Sequence, residues 1–221
     1  MKITNITLSI MFSCISLTQA LLAESHAELH PADSPGCLAL LDAETNITPP
    51  ELAMGLLDCV KSNEVKKAHD LFLLMMIRSV YDSKRVDDQS AGAAVDALRY
   101  EVLGQIDSGF SDRVTEFQNE IKQPYYDEIC NILKNKGIPK YYPKYMVLHG
   151  LNAITGISGD GLKESFDEEA EWFNTVDQFL SCTNTDALGS ENNTLYTTCN
   201  NLCDSGWWKT AGFFKVILEI N

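Results

Sequence analysis

The 221-residue chain has little of what most catalytic and metal sites require. It contains four histidines, no Cys-x-x-Cys pair, no Gly-x-Ser-x-Gly motif and no cluster of lysines and arginines. The few histidines and the lack of a Cys-x-x-Cys pair disfavour a zinc site. The lack of a Gly-x-Ser-x-Gly motif disfavours a serine hydrolase with a nucleophile elbow, and the lack of a cationic cluster disfavours a phosphate-binding surface. Beyond the N-terminus, no uncharged apolar stretch reaches the roughly 20 residues that a membrane span needs. The sequence therefore predicts no metal, no cofactor and no catalytic set.

Basic residues are also scarce relative to acidic ones. Thirty-one aspartates and glutamates against 17 lysines and arginines give a formal net charge of −14. Such a charge disfavours binding to nucleic acid or to an anionic membrane surface, because phosphates attract cationic side chains. It permits a basic protein partner, and it also has the simpler interpretation that it keeps the protein in solution.

The N-terminus has the pattern of a secretory signal peptide. Lys2 precedes a short apolar run, and small residues lead to a cleavage site after Ala27. Residues 1–27 are therefore predicted to be removed, which places the mature protein in the periplasm or outside the cell. A helical domain is expected over 28–182, and 183–221 is expected to be a polar linker with an aromatic tail. That tail is either a partner-binding element or packed on the domain.

Six cysteines follow the predicted cleavage site, and an even number in an exported chain indicates disulfides. Six cysteines allow about 15 pairings, and the sequence does not choose among them. The pairing we favour joins neighbours along the chain: Cys37 with Cys59, Cys130 with Cys182, and Cys199 with Cys203.

Apolar periodicity and helix caps predict an all-α fold, an irregular bundle of antiparallel helix pairs stapled by disulfides. Thr48 and Glu51 flank two prolines as a capping box, which starts a helix that ends near Lys61. The helix that begins near Val65 is apolar on all sides, which indicates a central, buried position. The two helices form a hairpin like those of tetratricopeptide repeats, although no second copy is visible.

The rest of the domain is predicted to be helical with polar connectors. The connector comprises Tyr81 to Asp88, and a capping box at Ser165 to Glu168 starts the last helix. Further helices are expected from Gln89 to Ile106, around 114–121, from Pro124 to Gly137, and from Pro143 with Val147, Gly150, Leu151 and Ile154 in the core.

The stretch from Cys37 to Cys182 resembles a family of small uncharacterised secreted helical proteins of Gram-negative bacteria. The features that carry the resemblance are Pro50-Glu51-Leu52, Asp58-Cys59, Lys67-Ala68 to Leu71-Phe72, Arg85-Val86-Asp87, and Tyr141-Tyr142-Pro143-Lys144-Tyr145-Met146 with His149-Gly150. The resemblance implies a periplasmic location, a helical fold and four core cysteines, and it implies no activity.

The best candidate site is an aromatic and polar stripe on the predicted Pro143 helix. Tyr142, Tyr145, His149 and Asn152 recur there at helical spacing and are suited to lining a groove for a ligand or partner, or to joining helices through buried hydrogen bonds. Arg85 and Asp87 in the predicted connector are candidates for holding a partner by charge, or for locking the helix turn.

These features favour an exported, non-enzymatic binding protein, of the kind that acts as an inhibitor or immunity partner of another envelope protein. One alternative is an envelope hydrolase that uses His149 and nearby carboxylates. A second alternative is a helical scaffold in an envelope assembly. The sequence does not predict the oligomeric state.

Overall fold

The computed structural model describes residues 28–31 and 33–183, and this part of the chain is all-α, as predicted, with no β-strand. The predicted signal peptide, the linker and tail, and Cys199 and Cys203 lie outside the described residues. A 3-10 turn at Gln89–Gly92 precedes the third helix. The helices are α1 Pro49–Lys61, α2 Val65–Arg85, α3 Ala93–Leu103, α4 Ser108–Glu120, α5 Gln123–Lys136, α6 Lys144–Val147, α7 Asn152–Thr155 and α8 Glu168–Leu180.

Helices α1 and α2 form the predicted hairpin. The Thr48 hydroxyl accepts from the backbone N–H of Glu51, and the Glu51 carboxylate accepts from the backbone N–H of Thr48, which completes the capping box. Residues 62–64 join the helices, with Asn63 in the left-handed conformation (φ 59°) that reverses the chain. The capping box therefore fixes the start of α1, and the tight turn fixes its connection to α2.

Helix α2 is the centre of the domain. Fifteen of its 21 residues are buried, and it contacts α1, α3, α4 and α8. Its apolar side chains are part of the main core, among them Leu71, Leu74, Ile77 and Tyr81. The prediction of a central helix is confirmed, because a helix that is apolar on all sides is stable only when other elements cover every face.

Two disulfides connect segments that are distant in sequence. Cys37 joins Cys59, which ties the loop before α1 to α1 itself, and Cys130 joins Cys182, which ties α5 to the end of α8. These are two of the three pairs favoured from the sequence.

Several predicted boundaries are wrong. The connector assigned to Tyr81 through Asp88 is helical up to Arg85, and Asp82 and Arg85 pair three residues apart inside the protein. The helix predicted from Gln89 to Ile106 is divided into a 3-10 turn and α3, which ends at Leu103.

The start of α8 also differs from the prediction. Asp167, rather than Ser165, caps the helix by accepting from the backbone N–H of Ala170 at 3.1 Å. In this helix Ala170 is exposed and Trp172 is buried in the core.

Candidate functional site

The four residues of the predicted stripe do not share one helix. Helix α6 ends at Val147, and α7 begins only at Asn152. The Asp88 carboxylate accepts from the backbone N–H of Asn152 at 2.7 Å, and the Ser90 hydroxyl accepts from that of Leu151 at 2.8 Å. In a continuous helix these two N–H groups would bond to carbonyls four residues earlier. The competing acceptors therefore interrupt the helix.

Gly150 makes this interruption possible. A Cβ atom at this position would collide with the Asp88 carboxylate and crowd Ala91. Only a residue without a side chain lets the backbone approach closely enough for Asp88 to reach Asn152. Asp88 also accepts from the Ser90 backbone N–H and hydroxyl, and these hydrogen bonds, that of Asn152 first, lower the pKa of Asp88.

Because the helix is interrupted, the four predicted site residues do not lie on one helix face. Tyr145 is buried at 2% exposure, whereas Tyr142 is exposed and donates its hydroxyl to the Asp160 carbonyl at 2.6 Å. His149 and Asn152 are half-buried. The interpretation of these side chains as one groove-lining stripe is wrong.

Tyr145 belongs to a buried polar network centred on Asp82, which is fully buried. One oxygen of the Asp82 carboxylate accepts from Arg85, whose Nη2 lies 2.7 Å away. The other oxygen accepts from the hydroxyls of Tyr141 at 3.0 Å and Tyr145 at 2.9 Å. Burial raises the pKa of Asp82 to about 6, although Arg85 and the two hydroxyls oppose this shift.

Arg85 fastens the segment that precedes α6 to the central helix. Its guanidinium donates to the Tyr141 carbonyl at 3.0 Å and lies 5.1 Å from the ring centroids of both Tyr81 and Tyr141. Burial and the negative charge of Asp82 raise the pKa values of the Tyr141 and Tyr145 hydroxyls well above their usual range, so both remain donors. The network therefore positions residues 141–147 rigidly on α2.

The prediction that Arg85 and Asp87 lie together in a surface connector is wrong for Arg85. Arg85 is 4% exposed, so its guanidinium is not accessible to a partner. Asp87 is exposed, and its backbone N–H bonds to the Gly161 carbonyl at 2.9 Å. The loop at 161–163 is thereby held beside the end of α2, where Val86 and Leu162 form an isolated β-bridge.

Beyond the network, the chain exposes large apolar side chains. In the described part of the chain six large hydrophobic residues are exposed, and four of them lie between residues 142 and 157: Tyr142, Leu151 (64%), Ile154 (62%) and Ile157. Leu151 and Ile154 were predicted to lie in the core. They are exposed because the interrupted helix turns them away from it. We call residues 142–157 the exposed segment.

Acidic residues from elsewhere in the chain contact the exposed segment. Residues 142–157 contain Lys144 and no aspartate or glutamate, and the acidic residues that contact them are Glu28, Asp88 and Asp160. The Lys144 ammonium pairs with Glu28 at 2.7 Å. Besides this ion pair, two acidic residues, Asp88 and Asp160, therefore adjoin the exposed segment.

His149 is the base that the hydrolase alternative would use, but in the described part of the chain no carboxylate hydrogen-bonds to its Nδ1 atom to orient the ring. This nitrogen is buried and makes no hydrogen bond, and burial lowers the pKa of the imidazole. The oxygens of the nearby Asp88 carboxylate bond to the Ser90 and Asn152 groups instead.

A second buried polar cluster lies on α2 near α5. The Asp70 carboxylate accepts from the Tyr125 hydroxyl and pairs with the Lys66 ammonium at 2.7 Å. Burial acts to raise the pKa of Asp70, but hydrogen bonds from His69, Lys66 and Tyr125 outweigh it and lower the pKa. The His69 Nδ1 lies 3.3 Å from the Tyr125 hydroxyl. This cluster joins α2 to α5 beneath the surface.

In residues 28–31 and 33–183, no three His, Cys, Asp or Glu side chains come together to hold a metal ion, and no helix is long and apolar enough to cross a membrane. Comparison with family models, with curated proteins and with solved structures finds no match. The resemblance to small secreted helical proteins stays a prediction, and the function has to be argued from the chain itself.

Proposed function

We propose that this chain is an exported, non-enzymatic binding protein that recognises a basic protein through the exposed segment. In this proposal it acts in the envelope as an inhibitor or immunity-type partner. The side chains that make the contact are Leu151, Ile154, Ile157 and Tyr142, and the surrounding carboxylates select the partner by charge.

The observation that carries the proposal is the concentration of exposed apolar side chains on one rigidly held segment. Single exposed hydrophobic residues are normal on a protein surface, whereas a contiguous apolar patch is typical of an interaction site. Four of the six exposed large hydrophobic residues of the described chain lie within residues 142–157. The segment is held by Asp88 and Ser90 on one side and by the Asp82 network on the other. A surface fixed in this way loses little conformational entropy on binding.

The charge of the chain supports a basic partner. The net charge is −14, and Asp88 and Asp160 adjoin the exposed segment. Complementary charge steers association and rejects partners of the same sign, while the buried apolar contacts supply much of the affinity.

Disulfides support export. Cys37–Cys59 and Cys130–Cys182 are of the kind that persists in the periplasm or outside the cell and is rare in a reducing cytosol. Together with the predicted signal peptide, they favour an envelope location.

A comparative capture experiment tests the proposal. The mature protein is immobilised and exposed to an envelope extract, alongside the double variant Leu151→Ser/Ile154→Ser. A matched control, Leu41→Ser/Tyr100→Ser, removes two exposed apolar side chains outside the segment.

Neither double variant is expected to unfold the domain, because all four side chains are exposed. A basic protein retained by the wild type and the control, and lost with Leu151→Ser/Ile154→Ser, is the expected result. Equal retention by all three proteins would contradict the proposed surface.

A further inference from the structure

A small cavity lies beside the buried histidine of α2, between α1, α2 and α4. Its lining consists of His69 and six apolar residues, Leu56, Ala68, Phe72, Ile106, Phe110 and Val114. The space measures about 210 Å³ when it is counted out to the open solvent at its mouth, and its enclosed part is the size of about one water molecule. Only Ile106 is not buried, so the connection between α3 and α4 forms the mouth.

His69 brings one unpartnered polar atom to this cavity. The residue is 2% exposed, and its Nε2 atom makes no hydrogen bond with the part of the chain that the structure describes. The other ring nitrogen, Nδ1, lies 3.3 Å from the Tyr125 hydroxyl. A buried polar atom without a partner costs free energy, and buried polar atoms in native proteins are therefore hydrogen-bonded with few exceptions. His69 is the only residue with a polar side chain in the lining of the cavity.

The neighbouring polar cluster determines which hydrogen bond Nε2 can make. Although burial acts to raise the pKa of Asp70, hydrogen bonds lower it, so this carboxylate is ionised and accepts from the Tyr125 hydroxyl. Burial raises the pKa of Tyr125, which therefore keeps its proton. The Tyr125 oxygen is then left to accept, and the proton of the His69 ring lies on Nδ1. In a ring with one proton on Nδ1, the Nε2 atom is an acceptor.

A single acceptor in an apolar cavity selects a ligand with a single donor. A buried water molecule typically makes about three hydrogen bonds, whereas the side chains that line this cavity offer it one. A hydroxyl group on an apolar body can make that one bond while the rest of the molecule contacts the apolar lining. The chemistry of the lining therefore favours a small amphipathic molecule over water.

We propose that the cavity binds a small uncharged molecule of the size of a phenol or a short-chain alcohol. Its hydroxyl group donates to the Nε2 atom of His69, and its apolar body lies between α1 and α4 and displaces Ile106 at the mouth. None of the lining residues belongs to the exposed segment. The site therefore requires no protein partner, and it stands or falls independently of the proposed function.

Phenol and toluene test the proposal, because they have similar size and only phenol carries a hydroxyl group. Each is titrated into the full mature chain, and NMR spectra are recorded of the imidazole nitrogens and of the methyl groups of Leu56, Ile106 and Val114. We expect phenol to shift these methyl signals and the Nε2 signal of His69 to a saturating value. The ratio of the dissociation constant of toluene to that of phenol should fall at least fivefold in His69→Leu, because this variant lacks the acceptor.

His149→Leu is the matched control. The Nδ1 atom of His149 is also buried and unpartnered within the described residues, but His149 does not line the cavity. Its ratio should therefore stay within twofold of the wild-type ratio. If His69→Leu does not fold, Val114→Ile provides the test. It adds one methylene group to the enclosed space, and it should raise the dissociation constant of phenol at least fivefold.

Three results would overturn the proposal. The first is a set of shifts that never saturate, which would indicate that phenol only partitions onto the surface. The second is an Nε2 signal of His69 that phenol leaves unchanged, which would mean that nothing larger than water enters the cavity. The third is the same ratio of dissociation constants in the wild type, His69→Leu and His149→Leu.

Discussion

The contribution of the buried Asp82 carboxylate to the stability of this protein should fall as the pH rises from about 4 to about 7. Its pKa is about 6 in the folded protein, against an ordinary value of 3.8. Between these values the folded state binds a proton that the unfolded state has already released, so raising the pH favours unfolding. At about 1.4 kcal/mol per pKa unit, the difference amounts to ~3 kcal/mol.

The variant Asp82→Asn isolates this contribution, because it keeps the shape of the side chain and cannot titrate. Urea unfolding at several pH values gives the free energy of unfolding of both proteins. The wild-type value minus the Asp82→Asn value should fall by ~3 kcal/mol between pH 4 and pH 7. Other carboxylates, such as Asp70 and Asp88, whose pKa values are lowered, act in the opposite direction and cancel in this difference.

The direction in which this free-energy difference changes with pH tests the reasoning. A difference that rises with pH would mean that the ion pair with Arg85 and the two tyrosine hydroxyls outweigh the cost of burying the charge, and it would refute the reasoning. If Asp82→Asn does not fold, Tyr145→Phe provides the test. It removes one donor to the ionised carboxylate, so the midpoint of the pH dependence should move upwards from about 6.

Three further predictions concern a disulfide, a helix cap and the close approach at Gly150. Replacing both Cys130 and Cys182 with alanine should lower the free energy of unfolding by about 2–4 kcal/mol, measured by urea denaturation, because the bridge closes a long loop in the unfolded chain. Thr48→Ala should cost about 1 kcal/mol in the same assay, with Thr48→Ser as a control that keeps the cap. Gly150→Ala should displace Asp88 and expose the Asn152 N–H to faster hydrogen exchange, and unchanged exchange would contradict the assigned role of Asp88.

Local signals in the sequence were sufficient for the first two helices. The capping box at Thr48 and the run of apolar residues in α2 each specify their structure without reference to the rest of the chain. The two disulfides follow the favoured neighbour pairing, although the sequence alone left other pairings open.

The candidate site was harder to predict because long-range contacts determine it. The apolar spacing of Val147, Leu151 and Ile154 fits a helix, but Asp88 and Ser90, some 60 residues earlier, take the backbone N–H groups that such a helix needs. No local pattern reports this competition.

The Asp82 network was missed for a related reason. Its polar residues at the end of α2 resemble a solvated connector until Tyr141 and Tyr145 are brought against them. The only sequence signal is the spacing of Asp82 and Arg85, three residues apart at the end of an apolar helix, which is suited to an ion pair.

The central claim is that the exposed segment binds a basic protein, and the affinity of the purified captured partner tests it most directly. Burying an apolar side chain contributes about 1.5–3 kcal/mol, so Leu151→Ser/Ile154→Ser should raise the dissociation constant at least tenfold. Leu41→Ser/Tyr100→Ser should leave it within twofold of the wild-type value. Equal dissociation constants for all three proteins would contradict the account.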